Sequence, residues 1–298
     1  MPSYSQLLII GGSGFLGWNL AKMAAKRYDV SFTYCQRPLA IPGTQDAYHL
    51  DIQDPDQIRD VLEKAQPEVI IHTAALTNPD DCEKRRPMAH AVNVAGTRSL
   101  AECAEEIGAK LVYISTDLVF DGKQGNYSEH ALTNPVNYYG ETKLAGEKAV
   151  QEVMSTYLIA RVALMYGEGN GSHGCFTDWL RNGLKNGQEV TLFADQYRTP
   201  LFVKDACRAL LELTEKGGKQ AIFHLGGNER LNRYEFGQKF CQVFGYDAKL
   251  LRAVNMDELP ALAPRGADCS LNTGKIQKLL SFQLSDALTG LQKMKKER

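Results

Sequence analysis

A tyrosine and a lysine four residues apart form the most informative pair in this sequence. The stretch at 139–143 reads YGETK and opens a predicted helix over 138–152. Because helical side chains at positions i and i+4 share a face, the ammonium of Lys143 can sit beside the phenol of Tyr139. A free phenol has a pKa of about 10, and an adjacent cation lowers it. We therefore expect Tyr139 to supply the proton that a carbonyl needs when hydride arrives at its carbon.

The end of an earlier strand offers hydroxyl groups to the same reaction. Thr116 follows a continuous apolar run at 111–114, which is typical of a buried strand, and so lies at the carboxyl edge of a predicted sheet. A hydroxyl there can polarise a substrate carbonyl. Tyr138 is a poorer candidate than Tyr139, because it stands five residues before Lys143 and is rotated by about 100° around the helix.

A glycine-rich turn near the start of the chain predicts a dinucleotide site. The stretch at 11–17 reads GGSGFLG and lies between an apolar strand at 7–10 and a helical pattern. Glycine permits the tight turn, the approach of backbone to a pyrophosphate and close helix packing, while the helix N-terminus faces the anion. The predicted cofactor contacts in this turn are Gly11, Ser13, Gly14, Phe15, Leu16 and Gly17.

The end of the second strand indicates which dinucleotide is bound. An NAD site usually has an acid there for the ribose hydroxyls, but residues 33–38 contain no carboxylate and one arginine, Arg37. A guanidinium binds a 2′-phosphate that a carboxylate would repel, so we predict NADP(H), although Arg37 also fits an ordinary surface residue. Asp51, followed by Ile52, can contact the adenine amino group or serve only as a loop acid.

The order of the elements predicts an α/β fold with a doubly wound parallel sheet of the Rossmann-like type. Apolar strands alternate with helices, which implies a sheet covered on both faces. We expect residues 1–168 to form the dinucleotide-binding domain, with 188–226 returning to it. Residues 169–187 and 227–298 would form a smaller substrate lobe over the carboxyl ends of the strands.

Composition excludes several other classes. The 34 basic and 35 acidic residues give a net charge of -1, which predicts no nucleic-acid partner. The apolar run at 7–10 is too short for a signal peptide or a membrane span, and the seven cysteines form no CxxC pair. We expect a cytoplasmic protein without a membrane anchor. No spacing of His, Cys or carboxylates predicts a metal site.

The motifs together resemble those of the extended short-chain dehydrogenases/reductases, and specifically the dTDP-4-dehydrorhamnose reductase group. The similar stretches include GGSGFLG, IIHTAALT, LVYISTDLVFDG, NYYGETKLAGE and DQYRTPLFVKDAC. The resemblance implies that Thr116, Tyr139 and Lys143 are the catalytic triad and that Ala74 and Ala75 line the nicotinamide side of the cleft. It also implies that Lys143 holds the nicotinamide ribose of NADPH and that Thr116 binds the substrate oxygen.

The resemblance implies a nucleotide-sugar substrate and is compatible with a homodimer. Its expected substrate contacts are Thr77, Asn93, Arg198 and Arg265. Dehydratases of this superfamily follow the threonine with an Asp-Glu pair, whereas Leu118 stands at the second position here, which disfavours dehydration. Two alternatives to an NADPH-dependent reductase stay open: a sugar-nucleotide epimerase, and a regulatory subunit resembling the methionine adenosyltransferase beta subunit, which binds NADP without turnover.

Overall fold

The computed structural model of the chain describes residues 5–171, 175–259 and 263–297. The outer ends of the two predicted domains, at 1–4 and 298, lie outside the described residues. So do 172–174 and 260–262 of the predicted substrate lobe. All the predicted site residues fall within the described part.

Strands and helices alternate along the first half of the described chain, as expected. The strands are β1 Gln6–Ile10, β2 Asp29–Tyr34, β3 Ala47–His49, β4 Val69–His72, β5 Lys110–Thr116, β6 Tyr157–Val162, β7 Met165–Tyr166, β8 Val190–Phe193, β9 Tyr197–Arg198, β10 Leu201–Phe202, β11 Ala221–Leu225, β12 Leu231–Asn232 and β13 Leu251–Val254. The helices are α1 Phe15–Ala24, α2 Pro55–Ala65, α3 Pro79–Lys84, α4 Arg86–His90, α5 Gly96–Glu106, α6 Tyr138–Val153, α7 Phe176–Lys185, α8 Val203–Lys216, α9 Arg233–Phe244, α10 Gly274–Gln277 and α11 Ala287–Lys296.

Seven of these strands form one parallel sheet in the order β3, β2, β1, β4, β5, β6, β11. Alternate residues of β1 enter different cores: Leu7 and Ile9 pack with α1 and α8, while Leu8 and Ile10 pack with α2 and α5. Both faces of the sheet are therefore covered by helices. The prediction of a doubly wound parallel sheet is confirmed.

Local sequence signals explain where the helices begin. Asp54 caps α2 by accepting hydrogen bonds from the backbone N–H groups of Asp56 and Gln57, and Pro55 occupies the first turn. Asn137 caps α6 in the same way, with its Oδ1 2.9 Å from the backbone nitrogen of Gly140. The second cap matters for function, because α6 carries the Tyr139 and Lys143 side chains.

A third core lies outside the large sheet and joins the later elements. It contains Leu180 of α7, Leu192 of β8, and Phe236 and Phe240 of α9. We predicted that residues 188–226 rejoin the dinucleotide-binding domain. Of the elements in this range, only α8 and β11 pack with the large sheet, because β8 pairs with β13 instead. The reason is that Val190 and Leu192 alternate into this third core, so β8 is held there rather than at the sheet edge.

Candidate functional site

The three predicted catalytic side chains lie at the carboxyl edge of the sheet. Thr116 is the last residue of β5, Tyr139 is in the first turn of α6, and Lys143 lies one turn further on. Thr116, Tyr139 and Lys143 are 5%, 9% and 2% exposed. The Thr116 hydroxyl is near enough to the Tyr139 phenol to influence the pKa of that phenol. The structure therefore brings a hydroxyl, a phenol and an amine together in a place with little water.

Contacts at the N-terminus of α6 fix the position of Tyr139. The Glu83 Oε1 atom lies 2.8 Å from the backbone nitrogen of Tyr138. A Cβ added at Gly140 would lie 2.2 Å from the carbonyl oxygen of Leu118, so the helix can approach the loop after β5 only with glycine there. The phenol is thereby held close to the end of that strand.

A buried ion pair fixes the middle of α6. Both carboxylate oxygens of Glu147 accept hydrogen bonds from the Arg161 guanidinium of β6, at 2.9 and 2.7 Å, and the Ser115 hydroxyl donates to the same carboxylate. Glu147 and Lys143 are one helical turn apart. The carboxylate therefore anchors the helix and places a negative charge near the lysine.

The Lys143 amine lies in a mostly apolar environment. Its Nζ is 4.0 Å from the centre of the Tyr113 ring. Burial lowers the pKa of Lys143 to about 7, against the opposing charge of Glu147. His72 is also buried, and burial together with the Lys143 charge lowers the pKa of the imidazole to about 3, so His72 is neutral. Lys143 can therefore gain or lose a proton near neutral pH.

The expected lowering of the Tyr139 pKa by Lys143 is wrong for this arrangement. Burial raises the pKa of the phenol well above its usual range, and the nearby Asp117 carboxylate raises it further. The nearby Thr116 hydroxyl lowers the pKa of the phenol, but this effect is smaller. The physical reason is that removal from water disfavours phenolate more than one neighbour stabilises it. Tyr139 is therefore protonated at neutral pH.

The glycine turn has the geometry that a dinucleotide pyrophosphate requires. Gly11 has a φ of 87°, which favours glycine, and a Cβ at Gly17 would lie 2.3 Å from the carbonyl oxygen of Gly11. At Gly14, by contrast, a Cβ would meet only that same carbonyl oxygen, at 3.3 Å, so space lies beside it. The first turn of α1 carries no acidic residue. The open side of Gly14 and this helix N-terminus fit an anion.

The other predicted residues of the turn differ in what they can offer. Leu16 is buried in the core between α1 and the sheet, so only its backbone can reach a ligand, and Phe15 is partly buried against the same core. Ser13 is partly exposed, and its carbonyl oxygen accepts a hydrogen bond of 2.9 Å from the Asn170 amide.

The predicted adenosine end lies beyond β2 and β3. Arg37 is exposed in the loop after β2. The Oδ1 of Asp51 accepts hydrogen bonds from the backbone and side-chain nitrogens of Gln53, at 3.0 and 3.1 Å. Ile52 is buried, and Gly96 packs against its backbone carbonyl. Asp51 therefore has a local role in its turn, and its second oxygen is less engaged.

Residues 74–77 follow β4 and border the glycine turn. A Cβ at Gly11 would lie 2.8 Å from the backbone nitrogen of Ala74, which shows how close the two segments are. Ala74 and Ala75 are partly exposed, and Thr77 is exposed. These positions are compatible with their predicted places beside the cofactor and the substrate.

Asn93 differs from its predicted substrate contact. It is 0% exposed and lies in a π-helical turn at 91–95. Its amide bonds to the backbone N–H and C=O of Leu76 and donates to the Thr142 hydroxyl. Because all these partners are internal, Asn93 holds the loop after β4 against α6, and we do not retain it as a substrate contact.

Three arginines lie close together beside Asp117, and the sequence analysis identified only two of them. Arg198 is 3% exposed and pairs with Asp117, with Nε 3.4 Å from Oδ2. Arg265 is partly exposed, and its Nη2 is 2.8 Å from the Asp80 carboxylate. Arg233, at the start of α9, was missed because no motif marks it in the sequence.

Arg233 carries a positive charge that no carboxylate of the described residues pairs with directly. Its Nε donates to the amide oxygen of Gln196 at 3.2 Å, and its guanidinium lies 4.7 Å from the Phe176 ring centre. Burial, together with the charges of Arg198 and Arg265, lowers the pKa of Arg233 to about 9, while Asp117 opposes this. An anionic group placed here would relieve the repulsion.

Within the described residues, no three side chains are arranged to hold a metal ion, and no helix is long and apolar enough to cross a membrane.

The parallel sheet, the glycine turn and the Thr-Tyr-Lys site define an extended short-chain dehydrogenase/reductase. The sequence matches the family described as RmlD substrate binding domain over residues 5–298, and the chain belongs to that family. A dTDP-4-dehydrorhamnose reductase of Aggregatibacter actinomycetemcomitans is 31% identical over 296 residues, covering 95% of each chain. The methionine adenosyltransferase 2 subunit beta of Mus musculus is 30% identical over 295 residues, covering 96% of this chain and 86% of the relative.

A solved structure of a related reductase is also similar over almost the whole chain. The dTDP-4-dehydrorhamnose reductase of Bacillus anthracis, in complex with NADP, superposes with a TM-score of 0.87 at 28% identity. The match covers 99% of this chain and 100% of that one.

The lowered pKa of Lys143 predicts how stability depends on pH. Between about pH 7 and the unfolded pKa of about 10.4, the unfolded chain binds more protons, so stability rises with pH. Burial of the charged amine therefore lowers the free energy of unfolding by its full amount below pH 7, and this penalty disappears at high pH. Lys143→Met removes this cost, so the variant should be more stable than the wild type at pH 6.5, with the difference shrinking towards pH 9.5.

Urea unfolding of both proteins across this pH range measures the difference directly. Lys64→Met, at an exposed position paired with Asp60, controls for the loss of one positive charge. A difference for Lys143→Met that is independent of pH would contradict the assignment.

Proposed function

We propose that this protein is an NADPH-dependent reductase that acts on the C4 carbonyl of a nucleotide-linked 4-keto-6-deoxy sugar. The observation that carries this proposal is the buried group of Thr116, Tyr139 and Lys143 at the same edge of the sheet as the open glycine turn. The related reductases of Aggregatibacter actinomycetemcomitans and Bacillus anthracis support the substrate class.

NADPH supplies the hydride when it is bound. The turn at 11–17 would hold its pyrophosphate, Arg37 its 2′-phosphate, and Asp51 and Ile52 its adenosine. Ala74 and Ala75 would border the nicotinamide, and Lys143 and Tyr139 would contact the ribose beside it. The NADP in the Bacillus anthracis structure supports this choice of cofactor.

Tyr139 would donate the proton to the sugar oxygen. Burial keeps the phenol protonated, so the donor is ready whenever the substrate binds. The loss of that proton leaves a phenolate in a place where it is costly. Lys143, with a pKa of about 7, can then return a proton to the phenolate oxygen. The two lysine protonation states that this cycle needs are both accessible near neutral pH.

The arginine cluster supports a nucleotide-linked substrate. A nucleoside diphosphate carries two phosphate groups, and guanidinium groups bind phosphate through paired, charged hydrogen bonds. Arg233 has no ion pair among the described residues, and Arg265 is partly exposed. We assign the diphosphate contacts to these two residues, and Thr77 to the sugar.

One specific observation favours a second candidate. The beta subunit of methionine adenosyltransferase 2 from Mus musculus is as similar in sequence as the reductase relative. A regulatory subunit that binds NADP and a partner protein, without turnover, would need the same fold and turn. In that case the buried phenol would have no chemical task.

Tyr139→Phe should reduce the rate of sugar reduction by a factor of ~10² to 10⁴, because the general acid is lost. The measurement follows NADPH absorbance after mixing the protein with a dTDP-4-keto-6-deoxy sugar. Tyr138→Phe is the matched control, since it removes the neighbouring phenol hydroxyl, whose ring lies beside Arg86.

Two outcomes would argue against a reductase. A Tyr139→Phe variant with more than about a tenth of the wild-type rate would remove the phenol from the mechanism. Absence of oxidation in the wild type, despite tight NADPH binding, would favour the regulatory candidate.

Arg37→Ala should weaken NADPH binding by ~10-fold or more and leave NADH binding almost unchanged, because only NADPH has the 2′-phosphate. Fluorescence titration of both cofactors measures the two dissociation constants. Arg59→Ala, at another exposed arginine, is the control. Equal losses for NADH and NADPH would show that Arg37 acts only on the structure of the loop.

Arg233→Met should raise the KM for the nucleotide sugar by ~10- to 100-fold with a smaller effect on kcat, because a charged contact to the diphosphate is lost. Steady-state kinetics with saturating NADPH separates the two constants. An unchanged KM would place the diphosphate elsewhere.

A further inference from the structure

The residue that follows Thr116 in the sequence is a buried aspartate whose carboxylate contacts the threonine hydroxyl. Asp117 follows Thr116 and is 4% exposed. The Thr116 hydroxyl donates to Asp117 Oδ1 at 3.1 Å, and it accepts from the backbone nitrogen of Leu118 at 3.2 Å. The other carboxylate oxygen, Oδ2, lies 3.4 Å from Nε of Arg198. A continuous chain of contacts therefore runs from Arg198 through Asp117 to Thr116.

The Arg198 side chain is committed to internal partners. Its Nη1 donates to the backbone carbonyls of Tyr197 and Gly266, at 2.6 and 3.1 Å. It is only 3% exposed, whereas Arg233 and Arg265 are partly exposed. Of the three arginines, Arg198 is therefore the one least able to reach a ligand, although sequence reasoning assigned it to the substrate.

The Thr116 hydroxyl can make only a few hydrogen bonds, so its contacts with Asp117 and Leu118 limit what else it can bind. A hydroxyl has one hydrogen and two lone pairs. The carboxylate takes the hydrogen and Leu118 N–H takes one lone pair, so a single lone pair is left. The Tyr139 phenol lies near that hydroxyl, which influences the pKa of the phenol. Asp117 thus decides which way the threonine hydroxyl points beside the phenol.

We infer that Asp117 and Arg198 are positioning residues: Arg198 holds the Asp117 carboxylate, and Asp117 orients the Thr116 hydroxyl beside Tyr139. This inference rests on the proposed function. It also changes the role of Arg198, which we predicted to contact the substrate and now assign to the positioning of Asp117. Arg198 belongs to β9, which pairs with β12 outside the large sheet, and Thr116 belongs to β5 of that sheet. The contacts from Arg198 through Asp117 to Thr116 therefore also hold the segment that contains Arg198 against the end of β5.

The kinetic test compares Arg198 with Arg233 in the same cluster. Asp117→Asn and Arg198→Met should each lower kcat by ~10- to 100-fold, because each removes a buried charged contact in this series, and should leave the KM for the nucleotide sugar within ~2-fold. Arg233→Met should do the reverse. The double variant Asp117→Asn/Arg198→Met should be no slower than the slower single variant, because both changes interrupt one chain.

A raised KM for Arg198→Met, or additive losses in the double variant, would overturn the inference. If Arg198→Met does not fold, Arg198→Lys keeps the charge and changes the geometry, and the same cycle with Asp117→Asn applies. Thermal unfolding of each variant shows whether a loss of kcat reflects a loss of folded protein.

A second measurement needs no turnover. Carbon-13 NMR of the aspartate carboxyls, with Asp117 assigned from Asp117→Asn, follows the ionisation of this group. Burial raises the pKa of Asp117, while Arg198 and the Thr116 hydrogen bond lower it. The ionisable and charged side chains near Asp117 are Arg198, Arg233, Tyr139 and Cys269.

Thr116→Val and Arg198→Met should each move the Asp117 titration to higher pH. A titration that is unchanged in both variants would overturn the chain of contacts, even if the protein reduces the sugar. Absence of sugar reduction by the wild type would instead contradict only the proposed function, since the titration is read without substrate.

Discussion

The packing of helix α6 against the end of strand β5 is the contact on which the site depends. It brings Tyr139 and Lys143 from the helix to Thr116 of the strand. Glycine at 140 allows the close approach, and the Glu147–Arg161 pair holds the next turns of the helix in the interior. Breaking such a pair by removing one partner typically costs ~3 to 5 kcal/mol, because an uncompensated charge is left buried. The same ion pair thus serves the stability of the fold and the placement of the reactive groups.

Burial also sets the protonation states within this packing. An exposed tyrosine and lysine at the same spacing would titrate near pH 10, and neither would change its charge at neutral pH. Burial shifts the two pKa values in opposite directions. It raises the pKa of the Tyr139 phenol and lowers the pKa of the Lys143 amine to about 7. Because the donor is strongly protonated and the amine is poised near neutrality, the pair suits a cycle in which the phenol gives a proton and recovers it. Burial is therefore the largest influence on the pKa of both groups.

Much of the fold was predictable because its signals are local. The glycine turn, the cap at Asp54 with Pro55, and the alternation of apolar strands with helices each occupy a few adjacent residues, and the sheet they predict is confirmed. Within the candidate site, the grouping of Thr116, Tyr139 and Lys143 was predictable because a motif marks each residue, while their catalytic roles stay predictions. Arg233 has no such motif, and the internal bonds of Asn93 and Arg198 depend on which elements meet in three dimensions. The rise in the Tyr139 pKa was missed for the same reason, since the depth of burial cannot be read from spacing. The homodimer and the cytoplasmic location stay predictions.

The arginine cluster shows why two residues of the same type beside one site can have different tasks. Each guanidinium is positive, so three of them close together repel one another unless acids or a ligand compensate. Asp117 and Asp80 each compensate one arginine, Arg198 and Arg265 respectively. The charge of Arg233 is left without a direct partner among the described residues, beside a pair that is already fixed. An anion placed beside this cluster would relieve the remaining repulsion, and the partly exposed Arg265 could contact it together with Arg233. Keeping the Arg233 charge partly buried costs free energy in the free protein, and under the proposed function a bound diphosphate would offset that cost.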